Sequence, residues 1–366
     1  MRISPILSLY IGRHFLVSFF SLLSLFLLLV LLFDAIELLR RTASQPDVTF
    51  GIVLEMAILR LPHMGQETFP FAVLFGGMAA FWRLTRTNEL VVTRSSGVSV
   101  WQFLLPVLLI TCVLGIFQIT VLNPLSSTML SRYERIEALK IQGQAASLAL
   151  APSGLWLRQT GPRGQSVVHS QRVIQQNDDV ELFNMTVYLY EGTDDFHGRI
   201  DAKYAKLEDS FWHMRDVWLL KPEHSPHFEA EFWLETDLTL DKIQDSFATP
   251  ETMSFWSLPD FIKTLEKTGF SAIRHKLQWH SLLASPLLLC AMVLISATFT
   301  LRQSRKSGFV FVIAGGILTG FLLYFISDVV FALGLSEKIP VTLAAWAPSS
   351  IAMLLGLAML LHLEDG

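Results

Sequence analysis

The strongest constraint in this sequence is a set of long stretches that contain no charged residue. Five such stretches, of 19 to 25 residues, cover positions 15–33, 98–122, 277–301, 307–327 and 339–361. A helix needs about 20 apolar residues to cross a bilayer core of about 30 Å. Each stretch therefore predicts a transmembrane helix. An ordinary soluble enzyme is excluded, since 16% of the residues are charged, against about a quarter in a typical soluble domain.

A sixth span is expected at about residues 50–81, although this stretch contains Glu55, Arg60, His63 and Glu67. A charge at the centre of a membrane helix costs about 2.5–3.5 kcal/mol. Such residues occur where they face the interior of a helix bundle or an aqueous cavity. Without this span, residues 98–122 would cross in the wrong direction. We therefore expect an α-helical membrane protein with six transmembrane helices, three on each side of a central domain.

The distribution of Lys and Arg predicts the orientation of these spans. If the N-terminus is inside, the inner segments carry eight basic residues near the span ends, and the short outer loops carry three. Membrane proteins keep an excess of Lys and Arg in their cytoplasmic loops. Both termini are therefore expected in the cytoplasm and residues 123–276 outside. The first span is too long for a signal peptide and is expected to remain as an anchor.

The central segment differs in composition from both flanks. Residues 123–276 hold 38 of the 60 charged residues of the chain, and neither cysteine, Cys112 nor Cys290, lies there. From Gly154 onwards, short alternating stretches are separated by turn residues, which is typical of antiparallel β-structure. A sandwich, a jelly roll or an open barrel fits this pattern. We expect a domain that folds without disulfides in a bacterial periplasm, between membrane-spanning halves at 1–122 and 277–366.

Motifs for catalysis or nucleotide binding are not visible in the sequence. It has no Gly-x-x-x-x-Gly-Lys-Ser/Thr phosphate loop and no His-Glu-x-x-His zinc motif. His63 and Glu67 can share a helix face, but a third metal ligand is not apparent, so hydrogen bonding or ligand contact is the better interpretation. We therefore expect no catalytic residue, no metal, no cofactor and no nucleic-acid partner.

The loop between the second and third spans is short, amphipathic and expected in the cytoplasm. Its composition fits an ordinary positive-inside loop. The alternative is a coupling helix over about residues 83–96 that docks into a separate cytoplasmic protein. In that interpretation Glu89 is a charged contact, with Arg83 and Arg86 beside it.

Basic residues also gather near the expected outer interface. Snorkelling of their charged ends to lipid headgroups is the simplest interpretation. The alternative is recognition of a phosphorylated amphiphile, because Arg binds phosphate in a bidentate manner. The residues concerned are Arg40, Arg41, His63, Arg132 and Arg135.

Several short motifs, in a fixed order, point to one family. They are Leu61-Pro62 with Phe69-Pro70-Phe-Ala-Val-Leu-Phe-Gly76, Asn88-Glu-Leu-Val-Val-Thr-Arg-Ser-Ser-Gly97, Gly154-Leu-Trp-Leu-Arg158, Ser285-Pro-Leu287 and Pro348-Ser349. With these motifs, and three spans on each side of a β-domain, the chain resembles the lipopolysaccharide export permeases, the paired LptF and LptG subunits. The resemblance covers essentially the whole chain. Gly154-Leu-Trp and Glu89-Leu-Val-Val resemble LptG more than LptF.

This resemblance implies a role in transport. Such permeases are non-catalytic subunits of an ABC transporter in the Gram-negative inner membrane, with a periplasmic β-jelly-roll domain. They pair as LptF with LptG, bind two copies of the ATPase LptB, associate with LptC, and pass lipopolysaccharide toward LptA. Glu89 falls on the coupling-helix glutamate of the family. Arg40 and Arg41 fall beside the lipid cavity, and His63 falls where relatives can carry a basic residue.

The walls of that cavity are expected on spans one and five, which are rich in Leu and Phe. Packing against lipid would explain each of these residues equally well. The selected residues are Phe26, Leu27, Leu318, Phe321 and Phe325.

Two other classes of protein fit parts of the pattern. A membrane sensor or scaffold would bind a ligand with the β-domain and would not depend on an ATPase. An intramembrane enzyme would use Glu55, Arg60, His63 and Glu67 as chemical groups, but no pairing of a nucleophile with a base is visible.

Overall fold

A computed structural model describes residues 5–42, 49–95, 97–137, 140, 148–151, 154–161, 164–176, 179–191, 195–208, 211–222, 225–236, 249–268, 271–301 and 309–365. The chain divides into two compact units. We call Met1–Ile141, Ser254–Trp256 and Lys276–Gly366 the helical unit, and Gln142–Met253 and Ser257–His275 the sheet unit. The expected domain limits, 1–122, 123–276 and 277–366, stay predictions.

The first part of the helical unit contains the helices α1 (Pro5–Thr42), α2 (Phe50–Arg86), α3 (Glu89–Ser95), α4 (Val100–Phe117) and α5 (Asn123–Glu137). A π-helical turn, Gln118–Leu122, joins α4 to α5, so the helix of the third expected span continues beyond residue 122. After the sheet come α6 (Leu258–Thr268), α7 (Ile273–Leu301), α8 (Phe309–Leu335) and α9 (Val341–Asp365).

Among the described residues, five helical segments are long and apolar enough to cross a membrane. They are Pro5–Thr42, Val100–Glu137, Ile273–Leu301, Ala314–Leu335 and Val341–His362. The sixth expected span corresponds to α2, a continuous helix of 37 residues that runs through Pro62 and Pro70. At 1.5 Å per residue α2 is about 55 Å long. Its charged residues keep it outside the set of five, so the sixth span stays a prediction.

Glycines allow the helices of the helical unit to approach closely. A side chain on Gly76 of α2 would stand 2.9 Å from the Cα atom of Phe19 in α1. One on Gly115 of α4 would stand 2.8 Å from the Cα atom of Pro286 in α7. Small residues at such contacts are typical of membrane helices, where van der Waals packing holds the helices together. The core around them combines aromatic residues of α1, α2 and α4, with Phe81 and Phe103 edge to face at 5.7 Å.

The sheet unit contains one antiparallel sheet of seven described strands in sequential order. The strands are β1 (Leu148–Ala151), β2 (Gly154–Gly161), β3 (Gly164–Gln176), β4 (Asp179–Glu191), β5 (Asp195–Glu208), β6 (Phe211–Leu220) and β7 (His227–Glu235). The β-structure expected from Gly154 onwards is found, and β1 precedes it. Each described strand pairs with its neighbours in the chain, whereas a jelly roll also pairs strands that are distant in sequence. The jelly-roll detail therefore stays a prediction.

One side of the sheet carries its apolar core. Side chains from β2 to β6 are almost completely buried there, among them Leu155, Val168, Val187 and Trp212. The amphipathic helix α6 contacts β1 and β3 and buries Leu258 and Leu265.

The expected coupling helix over residues 83–96 needs a correction. Arg83 and Arg86 belong to the last turn of α2, and α3 begins separately at Glu89. Asn88 lies between them in the left-handed region, with φ of 60°. Asn tolerates this conformation better than most residues, and a helix cannot continue through it. Ser96 lies outside the described residues.

Candidate functional site

Three parts of the helical unit hold the residues selected from the sequence. The first is the short helix α3, which packs on the core through Leu90. Leu90 is buried in the main apolar core, while the side chain of Val92 is 66% exposed. The Thr93 hydroxyl donates a hydrogen bond of 2.7 Å to the Glu89 carbonyl oxygen. Helix α3 therefore presents an apolar side chain outward from a fixed position.

The charged residues at α3 have neighbours that the sequence did not suggest. The half-buried carboxylate of Glu89 faces the hydroxyl of Tyr10 on α1, and Arg83 is also near Tyr10. The guanidinium of Arg86 is exposed and lies 5.1 Å from the centroid of the Trp82 ring. The structure thus brings Arg83, Arg86 and Glu89 to one end of α2, although they do not lie on a single helix.

The second part is a charge cluster, which we define as Asp34, Glu37, Arg40 and Arg41 of α1, Glu55, Arg60, His63 and Glu67 of α2, and Arg132, Tyr133 and Arg135 of α5. Its best-covered ion pair joins Arg60 Nη1 to Asp34 Oδ1 at 2.8 Å, with Asp34 13% exposed. The guanidinium of Arg60 also lies 5.6 Å from the centroid of the Tyr133 ring. This pair ties α1, α2 and α5 together.

The other members of the charge cluster form more exposed pairs. Both Arg40 and Arg41 bind Glu37, at 2.8 and 2.9 Å, and Arg40 is 78% exposed. Arg132 Nη2 lies 2.8 Å from Glu55 Oε1, across from α5 to α2. These guanidinium groups are therefore held in place but remain accessible.

The remaining selected residues of the charge cluster behave differently. His63 Nε2 lies 3.5 Å from Glu67 Oε1, one turn along α2, and its side chain is 20% exposed. Arg135 is exposed on α5, near Arg132. The structure gives Glu55, Arg60 and Glu67 the role of ion-pair partners, which the sequence left open.

Sequence reasoning missed Asp34, Glu37 and Tyr133. A signal was present for the two carboxylates. Asp34 directly follows the uncharged stretch at 15–33, and Glu37 precedes Arg40 and Arg41 by three and four residues, the spacing of helical ion pairs. Tyr133 gave no such signal, because its contact with Arg60 depends on how α5 folds back on α2.

The third part is apolar, and its members differ in how far they are exposed. Phe26 of α1 packs edge to face on Phe75 of α2, with ring centroids 6.2 Å apart. Leu27 lies against Gly65 of α2. By contrast, the three selected residues of α8 are strongly exposed, with Leu318 at 61%, Phe321 at 64% and Phe325 at 57%. The five expected wall residues therefore differ in exposure, and their common surface stays a prediction.

The opposite side of α8 explains this exposure. Gly316 and Gly320 lie against Met78, Phe71 and Leu74 of α2, so this side of α8 is already occupied. The exposed side of α8 is an apolar surface, and its exposure to water would be unfavourable. Lipid or another protein must therefore cover it.

Comparisons with known proteins agree with this architecture. The family model described as lipopolysaccharide export system permease LptF/LptG matches residues 9–362. The lipopolysaccharide export system permease protein LptG of Haemophilus influenzae is 26% identical over 358 residues, which cover 93% of this chain and 94% of that protein. The LptG protein of Escherichia coli K12 is 25% identical over 371 residues, 98% of each chain. The chain therefore belongs to the LptF/LptG family of lipopolysaccharide export permeases.

Proposed function

We propose that the chain is an LptG-type subunit of an ABC transporter that extracts lipopolysaccharide from the Gram-negative inner membrane. The observation that carries the proposal is the family match over residues 9–362, which includes both helical regions and the sheet. The proposed complex contains an LptF-type permease, an LptB ATPase dimer and LptC, and it delivers lipopolysaccharide to LptA. The chain supplies no ATPase chemistry itself. Six spans, cytoplasmic termini and a periplasmic segment at 123–276 belong to this proposal.

The physical task is to move several acyl chains without exposing them to water. Each exposed CH₂ group costs about 0.8 kcal/mol, so an apolar surface must receive the chains. The exposed side of α8 offers such a surface through Leu318, Phe321 and Phe325. ATP binding in the partner can drive extraction only if the permease contacts the lipid differently in its open and closed states.

The charge cluster is proposed to bind the phosphates of the lipid. Arg40, Arg41 and Arg132 are each held by a carboxylate and remain exposed by half or more of their side chains. An exposed ion pair contributes only about 0–1 kcal/mol, so a phosphate can replace the carboxylate at little cost. His63 is partly covered, with a side chain that is 20% exposed. Arg135 adds a further exposed positive group.

Helix α3 is proposed to dock into the ATPase. Leu90 anchors it, Val92 faces outward, and Glu89 stands at its first position. A movement of the ATPase would then reach α1 and α2 through α3, since Glu89 faces Tyr10 and α3 follows α2 after a two-residue turn.

Affinity purification from native membranes tests the assembly. The chain should copurify with an ATPase, a second permease and lipopolysaccharide. The variant Glu89→Lys should lose the ATPase or its coupling to export, because it reverses a charge at the docking helix. Asp260→Lys, which changes a carboxylate that is 86% exposed in the sheet unit, is the matched control. Normal ATPase binding and export in Glu89→Lys would contradict the coupling role and favour a scaffold.

A photo-crosslinking residue tests the lipid site separately. Placed at Arg41 or at Phe321, it should capture lipopolysaccharide in membranes. Placed at Phe19, which is completely buried in the core, it should not. Failure at both Arg41 and Phe321 would argue against the proposed lipid surfaces.

A further inference from the structure

Two residues within the sheet have an unusual backbone conformation. Asn184 in β4 has a φ of 51° and Asp216 in β6 a φ of 54°. Residues other than Gly rarely adopt positive φ, and Asn and Asp tolerate it best. Regular pairing is interrupted at both positions. Between β3 and β4 the pairs step past Asn184, and between β5 and β6 they step past Asp216.

The interruptions are aligned across neighbouring strands. In β4 the buried positions are Met185 and Val187 on one side of Asn184, but Leu182 on the other. In β6 they are Val217 on one side of Asp216, and Met214 and Trp212 on the other. The buried positions thus change between odd and even numbers, while the pairing register stays the same on both sides of each interruption.

The strand between these two, β5, shows the same change. Ala202 and Ala205 are both buried although they are three residues apart, and Lys203 stands at the interruption. The interruptions at Asn184, Lys203 and Asp216 therefore line up as a crease across the sheet. Residues other than Gly that are held at positive φ are often found at binding sites.

A hollow of about 330 Å³ lies over this crease. Four strands contribute to it, and seven of its ten lining residues are polar. The lining residues are His169 and Gln171 of β3, Asn184, Met185 and Thr186 of β4, Asp201, Ala202 and Lys203 of β5, and Asp216 and Trp218 of β6. The paired residues on both sides of the crease hold the strands that form this site.

The polar groups of the hollow are partly preordered. Asp201 Oδ1 accepts hydrogen bonds from the Thr186 hydroxyl at 2.8 Å and from Arg199 Nε at 2.9 Å. Asn184 Nδ2 donates to Gln171 Oε1 at 3.3 Å. The second carboxylate oxygen of Asp201 takes no part in these bonds. Oriented acceptors and donors are thus available at the centre of the hollow.

Aromatic rings stand at both ends of the hollow. Trp218 is 48% exposed at one end. At the other end, the rings of His169 and Trp156 are 4.1 Å apart. An exposed Trp beside polar groups offers a flat apolar surface for stacking, with hydrogen-bonding groups around it.

The charges restrict the class of ligand. Two carboxylates and one ammonium group give no excess of positive charge, so a phosphate or another strong anion is disfavoured. An apolar ligand would leave the polar lining without partners, which is costly. A small ligand with many hydroxyl groups and one apolar face satisfies both the lining and Trp218.

We propose that the creased face of the sheet is a saccharide-binding site. A sugar ring would stack on Trp218, while its hydroxyls would bond to Asp201, Asp216, Asn184 and Gln171. The sugar could be part of a lipopolysaccharide or of another glycan. The site is independent of the lipid and coupling sites proposed above.

The test uses the full chain in lipid nanodiscs and saturation-transfer NMR, which detects contacts to the protons of a sugar. One probe is the core oligosaccharide of lipopolysaccharide, freed of acyl chains, and the other is a tetramer of N-acetylglucosamine. Binding of the first alone would assign the site to lipopolysaccharide. Binding of the second alone, or of both, would assign it to glycans more generally. Binding of neither would overturn the proposal.

Variants localise the binding. Trp218→Ala should weaken it at least about threefold through loss of the stacking surface, and Trp218→Phe should retain part of it. Trp233→Ala is the matched control, because Trp233 is 51% exposed on β7 but lies outside the hollow. Asp216→Asn keeps a residue that tolerates the left-handed backbone. It tests the location of the site if Trp218→Ala does not fold. Equal binding in wild type and Asp216→Asn, or equal losses in both Trp→Ala variants, would overturn the location.

Discussion

Helices α7 and α8 are similar in length and apolar character, but their surroundings differ. In the most apolar stretch of 18 residues, 61% of α7 is buried within the chain, against 17% of α8. From Leu289 to Ile295, all described side chains of α7 except that of Cys290 are fully covered. Hydropathy therefore identifies both as membrane helices but does not tell which one other helices cover. The exposed side of α8 is available to lipid or to a partner, whereas other helices pack against α7.

Glycines of other helices show how α7 becomes buried. Gly77 of α2 lies against Ser296, Gly115 of α4 against Pro286, and Gly356 of α9 against Leu294. Three helices thus approach α7 closely. Helix α8 contributes its own glycines to contacts with α2 (Gly316 and Gly320), with α7 (Gly315) and with α9 (Gly334), while Leu318, Phe321 and Phe325 stay exposed.

The largest effect is expected from matched Leu→Ala changes in the two helices. Leu294→Ala in α7 removes a side chain that is 1% exposed, whereas Leu318→Ala in α8 removes one that is 61% exposed. Removing a buried Leu costs about 2–5 kcal/mol through lost contacts and a cavity. Leu294→Ala should therefore lower the thermal unfolding midpoint in detergent strongly. Leu318→Ala should leave it nearly unchanged and instead weaken lipid crosslinking; equal midpoints would remove the distinction between the helices.

A second contrast between covered and exposed positions concerns two ion pairs of equal length. Arg60–Asp34 and Arg132–Glu55 both measure 2.8 Å, but Asp34 is 13% exposed and Glu55 44%. Arg60→Gln should cost about 2 kcal/mol, less than for a fully buried pair because Arg60 is partly exposed. Arg132→Gln should cost less than about 1 kcal/mol. Denaturant unfolding measures both, and Asp34→Asn should partly rescue Arg60→Gln; absence of rescue would show that Asp34 is not the source of the loss.

A smaller effect is expected from glycine substitutions at two helix contacts. In Gly115→Ala the new Cβ would stand 2.8 Å from the Cα atom of Pro286, which can move only with the backbone of α7. In Gly316→Ala it would stand 2.5 Å from Met78 Sδ, the flexible part of a side chain. We expect a loss of about 1–2 kcal/mol for Gly115→Ala and less than about 1 kcal/mol for Gly316→Ala. The reverse order in thermal unfolding would mean that α8, and not α7, is the tighter contact.

Local patterns predicted much of this fold. Uncharged stretches located five helices, and alternation with turn residues located six of the seven described strands. Both signals depend on residues that are close in sequence. The break at Asn88 was missed because a positive φ leaves only a weak trace in composition. The crease through Asn184 and Asp216 was missed for the same reason, although Asn and Asp within strands are a hint.

The partners of the charged residues could not be predicted in the same way. Arg60 and Asp34 are 26 positions apart, and Arg132 and Glu55 are 77 apart. Their pairing depends on which sides of α1, α2 and α5 meet. The pair of Glu37 with Arg40 and Arg41 was predictable in principle, because it lies within one helix turn. The different exposure of Phe26 and Phe321 likewise follows from packing that hydropathy does not encode.

The smallest expected effect extends the contrast between covered and exposed groups to the sheet. Burial and a hydrogen bond of 2.9 Å to Glu181 raise the pKa of Tyr204 above its ordinary value of 10.0. The folded state then holds this proton more tightly than the unfolded state, so its contribution is complete below about pH 10 and decreases as the pH rises further. Tyr204→Phe should lose less than about 1.5 kcal/mol at neutral pH and should lack this part of the alkaline decrease. Thermal unfolding of both chains from about pH 8 to about pH 11 measures the difference. Parallel curves would show that the Tyr204 phenol is no better covered than an exposed one.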